Sequence, residues 1–246
     1  MSEAERPLRI TPDMLLGRRV DFERRMRRAP PVTVALLLAL GAVFAGEVVL
    51  GALDSRDAIV AAGALVREAV RAGEWWRLVS ATFLHGSLDH LISNAIGLFI
   101  LGMACEHGFG RGQYVILYAA SAVGGSVLSL LTSPGPSVGA SGAIFGLQGA
   151  AIMLFRQHRD RLLVRDRRIG FVLLVWAVYS ILGGILNPYV DNGAHLGGAV
   201  TGALVARRLR PVVLEPLTDE QASRVRRWLW LAAALLGYTV VGILTR

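Results

Sequence analysis

The sequence predicts an all-α polytopic membrane bundle of seven spans, and three observations predict it. Of its 246 residues, 54% are hydrophobic and the mean hydropathy is positive, which exceeds what a soluble core of this length needs. Repeated apolar stretches approach or exceed the ~18 residues that mark a transmembrane helix candidate. The cations are all arginine, and they cluster between those stretches rather than along one face.

Residues 1–30 read as a cytoplasmic tail in which Arg18, Arg19, Arg24, Arg25, Arg27 and Arg28 lead up to Pro30 and Pro31. Glu3, Glu5, Asp13, Asp21 and Glu23 break the acid-poor pattern of a transit peptide, and the apolar run that follows is too long and too late for a signal peptide. Spans are expected at 32–53, 87–104, 113–132, 138–156, 170–187, 193–208 and 228–244. Residues 31–209 form a six-helix core, and 210–246 a cytoplasmic linker with the seventh helix.

The loops test this count. Arg156, Arg159, Arg161, Arg165, Arg167 and Arg168 fall between spans four and five, and Arg207, Arg208, Arg210, Arg224, Arg226 and Arg227 between six and seven. The alternate loops at 132–137 and 188–192 carry no arginine, and segment 54–86 balances its arginines with acids. By the positive-inside rule the N-terminus is cytoplasmic and the C-terminus outside. Exclusive use of arginine is the habit of a high-GC bacterium, which points to the cytoplasmic (inner) membrane.

A formal charge of +8 raises nucleic-acid binding, but its distribution assigns it to topology instead. The absence of lysine rules out a Ser-Lys dyad and the lysine of a phosphate-binding P-loop. The single cysteine, Cys105, has no disulfide partner and no metal-site neighbours, and reads as a buried structural thiol.

Polar groups inside spans are costly and usually functional. They single out Asp89, His90, Ser93 and Asn94 on span two, Gly139-Ala140-Ser141-Gly142 at the start of span four, and His195 on span six. Ser141 stands where an apolar helix begins, beside free backbone N–H groups able to stabilise an oxyanion. By itself, serine beside glycine is also what helix packing uses, and Ala143 breaks the G-x-S-x-G nucleophile elbow.

Spacing adds the missing constraint. Gly142, Gly146 and Ala150 recur every fourth residue on span four, as do Ala194, Gly198 and Gly202 on span six. Such faces let backbones approach closely in lipid, which would bring Ser141 to His195, a base for its proton. His90 and Asn94, at i and i+4, present two donors on one helix face; helix–helix glue is the alternative role for them.

The combination His90-x-x-x-Asn94, Gly139-x-Ser141-Gly142 and Ala194-His195-x-x-Gly198-x-x-x-Gly202 resembles the rhomboid intramembrane serine proteases. Glu74-Trp75-Trp76-Arg77, followed by Phe83-Leu84-His85-Gly86-Ser87-Leu88, resembles that family's first external loop running into its second helix. The resemblance implies Ser141 as nucleophile and His195 as base and then acid, in a dyad that needs no carboxylate. His90, Asn94 and the Ser141 N–H would form the oxyanion hole. His85 would help hold water in the cavity, the Trp76-Arg77 pair would anchor the loop in the interface, and Phe145 would stack on His195. Asp191 precedes His195 by four residues in the external loop and is not promoted to a third member.

The reaction so implied is cleavage of single-span membrane proteins, in the bilayer, with no metal, cofactor or nucleic acid. A non-catalytic relative that escorts membrane proteins would have lost Ser141 or His195. A transporter would show paired mid-membrane acids and inverted repeats, whereas Glu47 is the sole acid expected in a span interior, and no repeat occurs. No H-E-x-x-H occurs, and no mid-helix pair of aspartates.

Overall fold

The computed structural model describes residues 19–26, 28–163, 168–187 and 190–245. Arg18, Arg27, Arg165, Arg167 and Tyr189, with the rest of the first eighteen residues, lie outside the described residues. In chain order the helices are α1 (Phe22–Arg25), α2 (Pro31–Val49), α3 (Arg56–Ala62), α4 (Arg67–Arg71), α5 (Arg77–Ser80), α6 (Leu88–Phe109), α7 (Arg111–Thr132), α8 (Ser141–Gln157), α9 (Ile169–Ile185), α10 (Asn192–Ala206) and α11 (Asp219–Leu244). Apart from isolated bridges, no strand occurs among the described residues.

The expected all-α bundle is therefore what forms, with one long helix at each of the seven predicted places. Four of them, α2, α6, α7 and α11, are long and apolar enough to cross a membrane, and α9 is a shorter apolar helix. The catalytic candidates sit on two shorter ones, the 17-residue α8 and the 15-residue α10.

Several ends differ from the hydropathy reading, each for a local reason. The first helix stops at Val49 rather than at 53, because Gly51 turns the chain at a φ of 68°. The second runs on past 104 to Phe109 and takes Glu106 into the helix, so Glu47 is joined by a second buried acid on a span helix. Glu106 is buried and accepts from the Val32 N–H at 3.0 Å, the Thr33 N–H at 2.8 Å and Thr33 Oγ1 at 2.8 Å. It thereby caps the N-terminus of α2, whose Pro30 offers no side-chain acceptor. The last helix begins nine residues before 228, at a capping box in which Thr218 and Gln221 satisfy each other's backbone N–H groups.

The core is centred on α8, buried from Gly142 through Ala151. α10 lies against it backbone to backbone: a Cβ on Gly198 would collide with the Gly142 carbonyl, and one on Gly202 with that of Gly146. α7 completes the group, since a Cβ on Gly125 would come within 2.9 Å of the Ala194 carbonyl oxygen. Only glycine permits this approach, which brings carbonyls and Cα–H groups of three helices together without intervening side chains. Cys105 packs into this core, its thiol donating to the Leu147 carbonyl at 3.2 Å.

Segment 54–86 folds as a cap of three short helices, α3 to α5. Here the expected role of Trp76 and Arg77 needs correction, because both are buried in protein rather than presented to the interface. Arg77 Nη1 donates to the Val60 carbonyl at 2.8 Å and the Ala64 carbonyl at 2.7 Å, its Nε pairs with Glu74, and its guanidinium lies 4.7 Å from the Trp76 ring centroid. The pair anchors the loop to itself, since a buried guanidinium must find its acceptors inside the fold.

Candidate active site

A cavity of about 1080 Å³ opens beside the glycine seam. Ser141, His195, His90 and Asn94 all line it, from α8, α10 and α6. Each helix delivers its residue for a physical reason. Ser141 is the first residue of α8; first-turn N–H groups of an α-helix have no intrahelical partner, and here the N-cap, Ala140, offers no side-chain acceptor either. His195 is one turn into α10, where the seam with α8 fixes its height. His90 and Asn94 share a face of α6 and converge on the segment just before Ser141.

That convergence depends on Gly139. Its φ is 124°, in the region that favours glycine, and a Cβ there would come within 2.8 Å of His90 Nε2 and 3.3 Å of Asn94 Nδ2. The Gly139 N–H donates to the Ala81 carbonyl at 2.8 Å. Asn94 Nδ2 is buried without a hydrogen-bond partner. An unpartnered buried amide donor is costly, and a site awaiting an anionic oxygen is one reason to retain it.

Phe145 stacks on His195, with centroids 4.1 Å apart and planes 11° from parallel. His195 Nδ1 is buried and makes no hydrogen bond. No hydrogen bond joins Ser141 Oγ to the His195 ring, although both border one cavity; catalytic hydrogen bonds often tighten only when substrate is bound. Asp191 is engaged elsewhere. It caps α10 through the Ala194 N–H at 2.9 Å and accepts from Ser129 Oγ and Ser133 Oγ of the α7 end. Burial alone would raise its carboxyl, but these bonds, with one from Ser137, outweigh burial and hold it below the ordinary carboxylate value.

His85 also needs correction. It does not line the cavity; it is fully buried behind His90, the ring centroids 5.2 Å apart. Its backbone N–H donates to the Glu47 carboxyl at 2.9 Å, and Nδ1 meets the Phe83 carbonyl at 3.3 Å. Glu47 thus ties α2 to the turn before α6, a role that the sequence left unassigned.

Sequence reasoning missed other cavity residues. Gln148 lines the cavity two turns below Ser141 and donates to the Leu173 carbonyl of α9 at 3.0 Å. Trp176 and Ser180 of α9 complete that side. Gln148 carried a legible signal, being the one amide in the apolar middle of its helix, between Gly142 and Phe155; Trp176 carried none, since an aromatic in a span is ordinary.

Comparison with known proteins bears on the same residues. A family model for the rhomboid domain matches residues 72–211, which include every candidate catalytic position. The Bacillus subtilis protein named rhomboid protease GluP is 35% identical over 159 residues, covering 65% of this chain and 31% of that protein. RHOMBOID-like protein 5 of Arabidopsis thaliana is 42% identical over 143 residues, covering 57% of this chain and 46% of that protein. The Providencia stuartii protein named rhomboid protease AarA is 29% identical over 199 residues and covers 71% of each chain. The chain thus spans about a third to a half of the length of the first two of these relatives.

Proposed function

The chain belongs to the rhomboid family and is an integral membrane protein, and from that premise we propose that it is an intramembrane serine endopeptidase acting through Ser141 and His195. One observation carries the reading: Ser141, His195, His90 and Asn94, from three helices, border a single cavity, with Phe145 stacked on the imidazole. Helix packing alone requires no such convergence.

In the proposed reaction Ser141 Oγ attacks the scissile carbonyl carbon while His195 takes its proton. The carbonyl oxygen becomes an oxyanion held by His90, Asn94 and the Ser141 N–H. On collapse the C–N bond breaks, and His195 returns the proton to the departing amine. Water then attacks the acyl-enzyme with His195 again as base, which releases the carboxylic acid and the serine. A dyad is favoured over a triad because the Asp191 carboxyl is bound to Ser129, Ser133 and Ala194 rather than to the imidazole.

The substrates of this reading are single-span membrane proteins, reaching the cavity past α9 and the 188–192 loop. Its orientation puts the site towards the outer surface, supported by the arginine-poor loop at 132–137 that borders the cavity. A cysteine replacing Pro134 should react with an impermeant label from outside and one replacing Arg161 should not; the reverse pattern overturns the orientation.

The catalytic assignment is tested with purified protein in liposomes and a single-span substrate. Ser141→Ala and His195→Ala should each abolish cleavage without loss of folding, and the double variant should be scarcely worse than either. Undiminished cleavage by either single variant removes the dyad. A binding relative without activity would instead show no serine-dependent cleavage in the wild type.

A further inference from the structure

The seventh long helix, α11, bears none of the candidate catalytic residues, yet it packs along α7, where a Cβ on Gly112 would meet Val225, and it also reaches α5. A Cβ added to Gly242 would stand within 2.5 Å of Trp76 Cδ1 and Cγ and 3.0 Å of Nε1. The other end of the same indole meets Gly63, where a Cβ would lie 3.0 Å from Cζ3. Trp76 is therefore held at both ends by glycines, one on α11 and one at the end of α3.

Trp76 is also the N-cap of α5, a one-turn helix whose C-cap is Ala81. The Ala81 carbonyl is the acceptor for the Gly139 N–H, two residues before Ser141. Between these ends α5 is pinned as a unit. Arg77 reaches the Val60 and Ala64 carbonyls, Ser80 Oγ donates to the Gly63 carbonyl at 2.7 Å, and Ser126 Oγ of α7 donates to the Leu78 carbonyl at 2.8 Å. A unit fastened on all sides transmits a push at Trp76 to Ala81 rather than absorbing it. His90 and Asn94 rest on Gly139, so displacement of Gly139 moves the oxyanion donors and the start of α8 relative to each other.

We propose that α11 is a positioning element of the catalytic site, with Gly242 setting Trp76 and, through α5, the Gly139 segment before the nucleophile. This inference rests on the serine peptidase reading above. It assigns the seventh helix a mechanical part in the geometry of the oxyanion site.

The test uses the full chain in liposomes and measures kcat and KM on a single-span substrate, the labelling rate of Ser141 by a fluorophosphonate, and the melting temperature. Gly242→Leu should lower kcat and the labelling rate by roughly ten-fold or more, since misplacement of about 1 Å at a reacting site costs up to ~10². KM should stay within about two-fold, because the substrate path is untouched. Gly237→Leu is the matched control on the same helix; a Cβ there meets nothing within 4 Å, and activity should be unchanged. Gly242→Ala offers a milder push if the leucine variant does not accumulate, and adding Trp76→Leu to either variant should restore part of kcat.

Equal kcat for wild type and both Gly242 variants overturns the inference while leaving the peptidase reading intact. So does a loss of kcat that appears equally in Gly237→Leu and follows the melting temperature. Absence of serine-dependent cleavage and labelling in the wild type overturns both.

Discussion

α10 and α9 face the same cavity and are held in opposite ways. α10 meets α8 through Gly198 and Gly202 at backbone distance, and its His195 is buried beneath Phe145. α9 packs chiefly on α8, and it buries only Gly170, Leu173 and Gly184 while Phe171, Tyr179 and Leu182 face outward. The first wall has no tolerance for movement because its contacts are carbonyl to Cα. The second has side chains for contacts and lipid behind it, so it can shift without breaking a tight seam. Under the proposed reading the division is functional: the pair that must be aligned sits on the fixed wall, and the wall that a substrate must pass is the loose one.

The largest expected effect is on the fixed wall. Gly198→Leu demands volume already occupied by the Gly142 carbonyl, and backbone cannot yield as a side chain can. The variant should fail to accumulate, or melt well below the wild type with no cleavage. Gly183→Leu on α9, where a Cβ meets nothing within 4 Å, should melt and cleave as the wild type does. Thermal melts and cleavage of the pair check the contrast; similar behaviour of the two variants would dissolve it.

How far the sequence disclosed these two walls follows from what determines each. The seam was legible because a glycine repeat of four reports directly on backbone approach, and Gly142, Gly146, Gly198 and Gly202 meet as the repeat requires. Four of the cavity-lining residues were legible by chemical type, since Ser141, His90, Asn94 and His195 are polar groups in apolar helices. Contacts made by ordinary residues were not. Trp76 and Gly242 lie far apart in the chain, and neither type announces the other. Glu106 escaped because hydropathy ends a span at its last apolar residue, whereas the helix ends where Gly110, at a φ of 78°, breaks it. The early start of α11 was available in Thr218-x-x-Gln221, a capping box that an apolar window overlooks. Trp76 and Arg77 misled because interfacial anchoring is the common use of such a pair in membranes, and burial depends on carbonyls that only the folded loop supplies.

A smaller effect should come from the loose wall, and it has the opposite sign. Gln148 is buried, and its amide donates to the Leu173 carbonyl, a polar tie between α8 and α9. Hydrogen bonds between helices in membranes average only ~0.6 kcal/mol, so removing one cannot unfold the bundle. Gln148→Met keeps the volume and loses the donor, and the carbonyl it leaves is shared with the α9 backbone. Stability should therefore fall slightly, while α9 gains freedom. If displacement of α9 admits the substrate, a single-span substrate should be cleaved up to about three-fold faster, the most that ~0.6 kcal/mol can supply. The labelling rate of Ser141 by a small fluorophosphonate should not change, because a small probe needs no displaced helix and the seam that aligns the dyad is intact. Measuring both on the same preparation separates the walls. A rise in both rates would mean that Gln148 acts on the catalytic geometry itself, and a fall in cleavage of the membrane substrate would mean that a firm α9 helps to hold the substrate rather than to exclude it.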